Sequence, residues 1–270
     1  ISKATDPASG GRHMSNHFAK PAIGIQNVSS LTGNHTQHAV GLARAVKTYR
    51  RDSIVFSSQG ESSLSEGYCF ESINGADREQ LPVVFIIQDN GYGISVPKRD
   101  QSANEHICDN FSGFPNLKII KCDGLDFPDS MRAMEEALAY VRTGKGPAMV
   151  YATCVRIGSH SNSDRHELYR DDAERAEAKA KDPLPRFRAY CLEHGLSEEE
   201  LKAIEIDNQA RYLAAHDKAM AAPNPDPASI HDFVIPEGWV SERYPDGTHH
   251  ETGEPQSLIA ALNQTLKEEF

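Results

Sequence analysis

Two short stretches carry oxygen ligands of the kind that hold a hard cation. The first is Gly60-Glu61-Ser62 and the second is Asp89-Asn90-Gly91-Tyr92. Each follows an apolar run, Ile54-Val55-Phe56 in one case and residues 83–87 in the other. A carboxylate, an amide oxygen and a turn carbonyl suit magnesium or calcium and do not suit zinc. Magnesium keeps few protein ligands and completes its octahedron with phosphate and water. A helix opening near Ser65 would add backbone amides that favour an anion. A metal ion together with a diphosphate is the tenant this chemistry predicts. Taken singly, neither stretch says much, because Asn-Gly is a common turn and a lone Gly-Glu is uninformative. Their combination is more telling, because the 29 positions from Glu61 to Asn90 leave room for one helix and one strand.

The elements between and around them read as an alternation. Small and aliphatic residues (Ala39, Val40, Ala43, Val46) recur at helical spacing over 36–50. Residues 53–57 predict a short strand, 65–80 a helix, and 83–87 a buried strand entered through Pro82. Residues 117–122 predict a further strand. Asp126 then caps a helix whose Phe127, Met131, Met134, Leu138 and Val141 form one apolar stripe, read here as core. A last strand covers 148–155. Strands alternating with helices imply an α/β fold, a parallel sheet with helices on both faces. Ligands of such sheets bind beyond the carboxyl ends of the strands, where Glu61 and Asn90 both fall.

Composition sets the limits. The 270 residues suffice for one large α/β domain or two small ones. The formal charge of −11 argues against nucleic-acid or anionic-membrane binding, which need a basic surface. No apolar run approaches a membrane span. Cysteines 69, 108, 122, 154 and 191 form no C-x-x-C pair, which implies reduced thiols in a reducing compartment. The bacterial cytoplasm fits that reading better than a mitochondrial matrix.

We divide the chain into a diphosphate- and metal-binding domain over 1–222, whose part 170–222 is charged and helical with a break near Pro183-Leu184-Pro185. A Pro-, Gly- and His-rich linker or arm follows over 223–254. Residues 255–270 regain a helical pattern, with Leu258, Leu262 and Leu266 spaced by four, and read as the start of a second, truncated domain.

The stretch "GESSLSEGYCFESINGADREQLPVVFIIQDNGYGIS" resembles the thiamine diphosphate fingerprint, Gly-Asp-Gly followed after just under thirty residues by Asn-Asn. Its form is similar to the alpha subunit of the decarboxylating component of 2-oxo acid dehydrogenase complexes. Gly67, Glu71, Asn74 and Ala76 match that family's helix, Leu81-Pro82 its Leu-Pro, and Asn90 to Ser95 its Asn-Gly-Tyr-x-Ile-Ser. "GGRHMSNHF" at 10–18 and "VRIGSHSNSD" at 155–164 are similar to two further family loops. Three positions of the fingerprint differ: Glu61 stands for Asp, Ser62 for Gly, and Asp89 for the first Asn.

The resemblance implies that Glu61, Asn90 and the Tyr92 carbonyl hold magnesium, and that the Gly60–Ser62 backbone cradles the diphosphate. It implies Ile94 as a further cofactor contact, Leu31 as a contact to the thiazolium ring, and a potassium site near "VSSLTGNHTQHAVG". His160 would face the cofactor and move a proton, with His17 as a second catalytic candidate. Ser161 matches a position that kinases modify in mitochondrial relatives, and we read it as a loop-ordering serine.

The implied activity is thiamine diphosphate-dependent oxidative decarboxylation of a branched-chain 2-oxo acid or pyruvate, with acyl transfer to a lipoyl domain of the acyltransferase component. The Glu that serves the aminopyrimidine lies in a beta-type partner in this family. "GEPQSLIAALNQTLKEEF" is similar to the opening helix of that partner, so we expect a fused alpha–beta polypeptide acting as a homodimer. Two alternatives remain open at this point. One is a transketolase-like thiamine enzyme; the other is a non-catalytic metal- or nucleotide-binding α/β module.

Overall fold

The computed structural model describes residues 2–13, 17–49, 52–232 and 256–269. In chain order the helices are α1 (His35–Tyr49), α2 (Gly67–Arg78), α3 (Phe127–Arg142), α4 (Asp172–Ala180), α5 (Pro183–Glu193), α6 (Glu198–Ala221) and α7 (Leu258–Glu269). The strands are β1 (Val55–Gly60), β2 (Val83–Asp89), β3 (Tyr92–Gly93), β4 (Val96–Pro97), β5 (Lys118–Asp123) and β6 (Ala148–Thr153). By chain contacts the protein divides into two units, Ile1–Pro225 and Asp226–Phe270. In the second unit α7 is an amphipathic helix whose Leu258, Ile259, Leu262 and Leu266 are exposed. Most of the 223–254 segment lies outside the described residues.

In the first unit four parallel strands lie in the order β1-β2-β6-β5. The chain steps from β1 to its neighbour β2, leaves for the far edge at β5, and returns through α3 to β6. Right-handed crossovers running in opposite directions put their helices on opposite faces. The core divides accordingly. Val40 and Ala43 of α1 and Ile73 and Ala76 of α2 pack on Val83, Phe85, Ile87, Met149 and Tyr151. Ala133, Ala137 and Val141 of α3 pack on Val84, Ile120, Cys122, Ala148 and Val150. The reversal of direction opens a crevice at the carboxyl ends of β2 and β6, where such sheets take their ligands.

The expected α/β architecture is present, with several local differences. The stripe on α3 is rotated from the one expected. Phe127 and Met131 are exposed, and the buried positions are Ala133, Ala137 and Val141. Small alanines let the helix approach the sheet, and the larger side chains lie at its flanks. The Phe127 ring packs instead on Phe187 of α5, with centroids 4.5 Å apart. Pro183 opens α5, where a missing N–H costs nothing, and Asp182 caps it by accepting from Leu184 N–H at 2.9 Å. β1 is an edge strand, with Phe56 exposed. The ribbon β3–β4 was not expected. All five cysteines are free. No described helix is long and apolar enough to cross a membrane.

Candidate active site

β1 runs to Gly60, and a 3-10 turn over Glu61–Ser65 follows it directly. The turn draws the Glu61 side chain inward until it is fully buried. β2 ends at Asp89, one strand over, since Gly60 and Gln88 are register partners. The two strand ends therefore meet: Asn90 N–H donates to Glu61 Oε2 at 3.2 Å, across the 29 positions that separate them. Asn90 Oδ1 accepts from Tyr92 N–H at 3.2 Å, which folds the turn back on itself. Gly91 makes the corner at φ +82. Glu61, Asn90 and Tyr92 thus share one turn-to-turn junction.

The ribbon after this turn packs against the 61–65 turn. A Cβ at Gly93 would stand 2.6 Å from Ser62 Oγ and 3.0 Å from Ser62 Cβ, so any side chain there would force Ser62 to shift. Gln101 Nε2 donates to Ser62 O and to Ser65 Oγ, both at 2.9 Å, and ties the two segments together. The ribbon's two-residue loop begins with Ile94 at φ +56. Glycine is the usual occupant of such a position, and a β-branched residue there costs on the order of 1–3 kcal/mol. Ile94 is exposed, so the strain is not offset by burial of its side chain.

Burial pushes the Glu61 carboxyl above the usual carboxylate range. The Asn90 N–H works against that push, while the Asp89 charge adds to it and Lys98 opposes it. A carboxylate so enclosed calls for a cation. Among the described residues no three His, Cys, Asp or Glu side chains converge on a metal-sized space. A cation bound at Glu61 would therefore be completed by amide and carbonyl oxygens, the hard set that magnesium takes. The diphosphate half also fits: Gly60 has open space where a Cβ would stand. No side chain caps the start of α2, which leaves its leading N–H groups for an anion.

Asp89 is 1% exposed and its carboxylate takes three donors. Oδ2 accepts from Lys98 Nζ at 2.5 Å and from Tyr151 OH at 2.6 Å, and Oδ1 accepts from Gly91 N–H at 3.1 Å. Burial, then the hydrogen bond to Asp89 and its charge, push the Tyr151 phenol up, so it stays a donor. Cys154 follows β6, donates its N–H to Asp89 O at 2.8 Å, and has its thiol pushed up to about 11 by burial, with Glu61 and Asp89 adding to the shift.

The chain then enters the 155–165 loop. Arg156 lies over the Tyr92 ring at 5.3 Å and donates from Nη2 to Tyr169 OH at 2.7 Å. Tyr169 OH donates to Asp164 Oδ2 at 2.7 Å, and the same oxygen accepts His160 N–H at 2.7 Å. These bonds hold the Asp164 carboxyl below its ordinary range, the His160 N–H contributing most. Arg170 donates to Arg156 O and to Glu174 Oε1, and Glu174 accepts Tyr92 OH at 3.1 Å. A continuous polar chain thus runs from Tyr92 to the backbone of His160. His160 itself is exposed. Ser161 Oγ lies 3.1 Å from Ser163 Oγ. Arg156 Nε and Nη1 are buried without a partner among the described residues.

The remaining candidates are more peripheral. His17 Nε2 lies 3.1 Å from Ser30 Oγ, with its ring edge-on to His13. Leu31 is exposed. In the segment proposed for potassium, the Thr36 hydroxyl is committed to Gln59 Oε1 at 2.6 Å. Sequence reasoning missed Lys98, Tyr151, Tyr169, Arg170 and Glu174. One signal could have found the first: an Asp where the fingerprint has Asn adds a charge that a buried turn must neutralise.

Residues 1–228 match the sequence profile of the family described as dehydrogenase E1 component. This chain belongs to that family. The E1 relatives include the 2-oxoisovalerate dehydrogenase subunit alpha of Bacillus subtilis, 36% identical over 235 residues, which are 87% of this chain and 71% of that one. The 3-methyl-2-oxobutanoate dehydrogenase subunit alpha of Mycobacterium tuberculosis is 31% identical over 207 residues, 76% of this chain and 56% of that one. The mitochondrial pyruvate dehydrogenase E1 component subunit alpha of Solanum tuberosum is 28% identical over 244 residues, 88% of this chain and 61% of that one. The chain thus spans between 56% and 71% of the length of these relatives. These three relatives are all alpha subunits, as the sequence motifs imply.

Proposed function

We propose that this E1 chain is the alpha part of a 2-oxo acid dehydrogenase and supplies the diphosphate half of a thiamine diphosphate site. The observation that carries the reading is the junction of Glu61 and Asn90 at the ends of neighbouring strands, 3.2 Å apart and with Glu61 fully buried. Glu61, the Asn90 amide oxygen and the Tyr92 carbonyl would hold magnesium. The Gly60–Ser62 backbone and the start of α2 would receive the diphosphate, and Ile94 would meet the cofactor. Bound thiamine diphosphate supplies an electron sink for decarboxylation. His160, presented on a loop pinned to Tyr92, would donate a hydrogen bond to a diphosphate oxygen and hold or pass a proton. His17 and Leu31 would line the mouth.

The names of the Bacillus and Mycobacterium relatives favour a branched-chain 2-oxo acid over pyruvate as substrate. A beta-type domain would cover the aminopyrimidine, and a lipoyl-bearing acyltransferase would accept the acyl group. The exposed leucines of α7 support the reading that a beta-type domain begins there, so that the full polypeptide would be a homodimer with composite sites. The test is a calorimetric titration of the full-length protein with thiamine diphosphate, with and without magnesium, followed by a panel of 2-oxo acids with an artificial electron acceptor. Tight binding only with magnesium is expected. Absence of binding at any magnesium concentration would sink the proposal in favour of a non-catalytic module.

A further inference from the structure

The metal turn contains a second carboxylate that a magnesium site of this kind does not need. Asp89 stands where the fingerprint has Asn. An Asn in its place would bring no charge. An Asp brings a negative charge into a position that is 1% exposed, next to the fully buried Glu61. Two uncompensated carboxylates so placed would repel, and would raise the free energy of the turn before any metal arrives. The chain contains the remedy nine residues on. Lys98 Nζ sits 2.5 Å from Asp89 Oδ2 and is itself 20% exposed. Lys98 N–H also donates to Gly91 O at 2.8 Å, so the same residue closes the base of the β3–β4 ribbon.

We propose that Asp89 and Lys98 are a coupled positioning pair that clamps the 89–98 segment and leaves Glu61 as the single uncompensated carboxylate for the metal. The pair fixes the ends of the segment that bears Asn90 and Tyr92. Tyr151 OH and Gly91 N–H orient the Asp89 carboxylate, and the ammonium neutralises it. Neither residue touches the metal in this scheme, and each acts through the turn. A buried charge stripped of its partner is strongly unfavourable, whereas removing both partners together is close to neutral. The proposal therefore makes a prediction against intuition. Asp89→Asn restores the fingerprint residue, yet it should damage the protein, because it leaves the Lys98 ammonium unpaired.

This inference rests on the metal reading above, so the test has two readouts. Four versions of the full-length protein are compared: wild type, D89N, K98M and D89N/K98M. Melting temperature is measured in EDTA, and magnesium-dependent thiamine diphosphate affinity by calorimetry. Each single variant should melt lower than wild type and bind about tenfold or more weakly. The double variant should recover most of both losses, to within about threefold in affinity. A single variant that fails to fold while the double folds supports the coupling. Singles with no effect, losses that simply add, or a double that also fails to fold overturn the pair. Wild type that binds no cofactor overturns the role at the metal and, with it, the functional reading. The melting cycle then separates a structural pair from no pair.

Discussion

The two loops that carry the candidate chemistry are built in opposite ways. The 89–98 turn is sealed. Asp89 and Glu61 are buried, the donors around them are assigned, and glycine at 93 lets the ribbon lie against the 61–65 turn. The 155–165 loop is tethered. His160 is exposed, and the described bond that holds its backbone runs to one oxygen of the half-buried Asp164. A metal site must be preorganised, because a hard cation selects fixed oxygens. A proton-transferring residue at the mouth needs only to be held near, and it can tighten when partner and cofactor arrive.

The first way to break that contrast is to remove the sealed carboxylate. Glu61→Ala takes away the one buried anionic ligand, and water replaces it poorly in a closed turn. The apparent affinity for thiamine diphosphate with magnesium should fall by more than about 100-fold. Asn90→Ala should do the same, while also freeing the Tyr92 N–H that now binds Asn90 Oδ1. Wild-type affinity in both variants by calorimetry would remove the metal assignment.

The tethered loop should respond differently. His160→Ala should leave folding intact, because an exposed loop residue is not core, and should weaken cofactor binding by about tenfold, the worth of one hydrogen bond to a charged oxygen and far less than the loss of Glu61. Turnover of the full-length enzyme should drop by about 100-fold or more, the usual worth of a positioned proton donor. A change below about threefold would leave His160 as an ordinary loop residue. A smaller effect is expected one bond further out. Asp164→Ala releases both His160 N–H and Tyr169 OH, and should cost about tenfold in turnover. Tyr169→Phe breaks one link of the chain and should cost less. An Asp164→Ala enzyme with full activity would show that the tether is not what places His160.

How much of this was readable beforehand follows the same division. The strand ends were legible because a short apolar run that stops at turn residues marks the end of a buried strand, and it was the fingerprint joining the two stretches, not either alone, that made them a site. The alternation of elements was legible for the same reason. The orientation of α3 was not. A periodicity reading weights Phe127 and Met131 above Ala133 and Ala137, yet close packing on a sheet favours the small residues. The ribbon at 92–97 was hidden because two-residue strands have no periodicity, and Ile94 at positive φ breaks the rule that would mark its turn. The Tyr92–Glu174–Arg170–Arg156 chain was out of reach, since its members lie up to 82 positions apart.

The smallest expected effect sharpens the idea of a sealed site and concerns the protein without metal. Burial raises the Glu61 carboxyl above its unfolded value. A group raised on folding binds more protons in the native state, so its contribution to stability is fully present below the unfolded value and is lost as pH rises through the folded one. Metal-free protein at a pH above the folded value therefore carries an unfavourable buried charge at position 61. Glu61→Gln removes that charge and keeps a side-chain oxygen to accept the Asn90 N–H. In EDTA at a pH above the folded value the variant should melt higher than wild type, by about 2–4 °C for each kcal/mol relieved. The difference should shrink as pH is lowered past the ordinary carboxylate range, because wild-type Glu61 is then protonated as well. With magnesium and thiamine diphosphate present the order should reverse, since only the wild type keeps an anionic ligand for the ion. A variant that melts no higher than wild type without metal would mean that the turn tolerates the Glu61 charge without a cation, and the case for a resident metal would lose its physical basis.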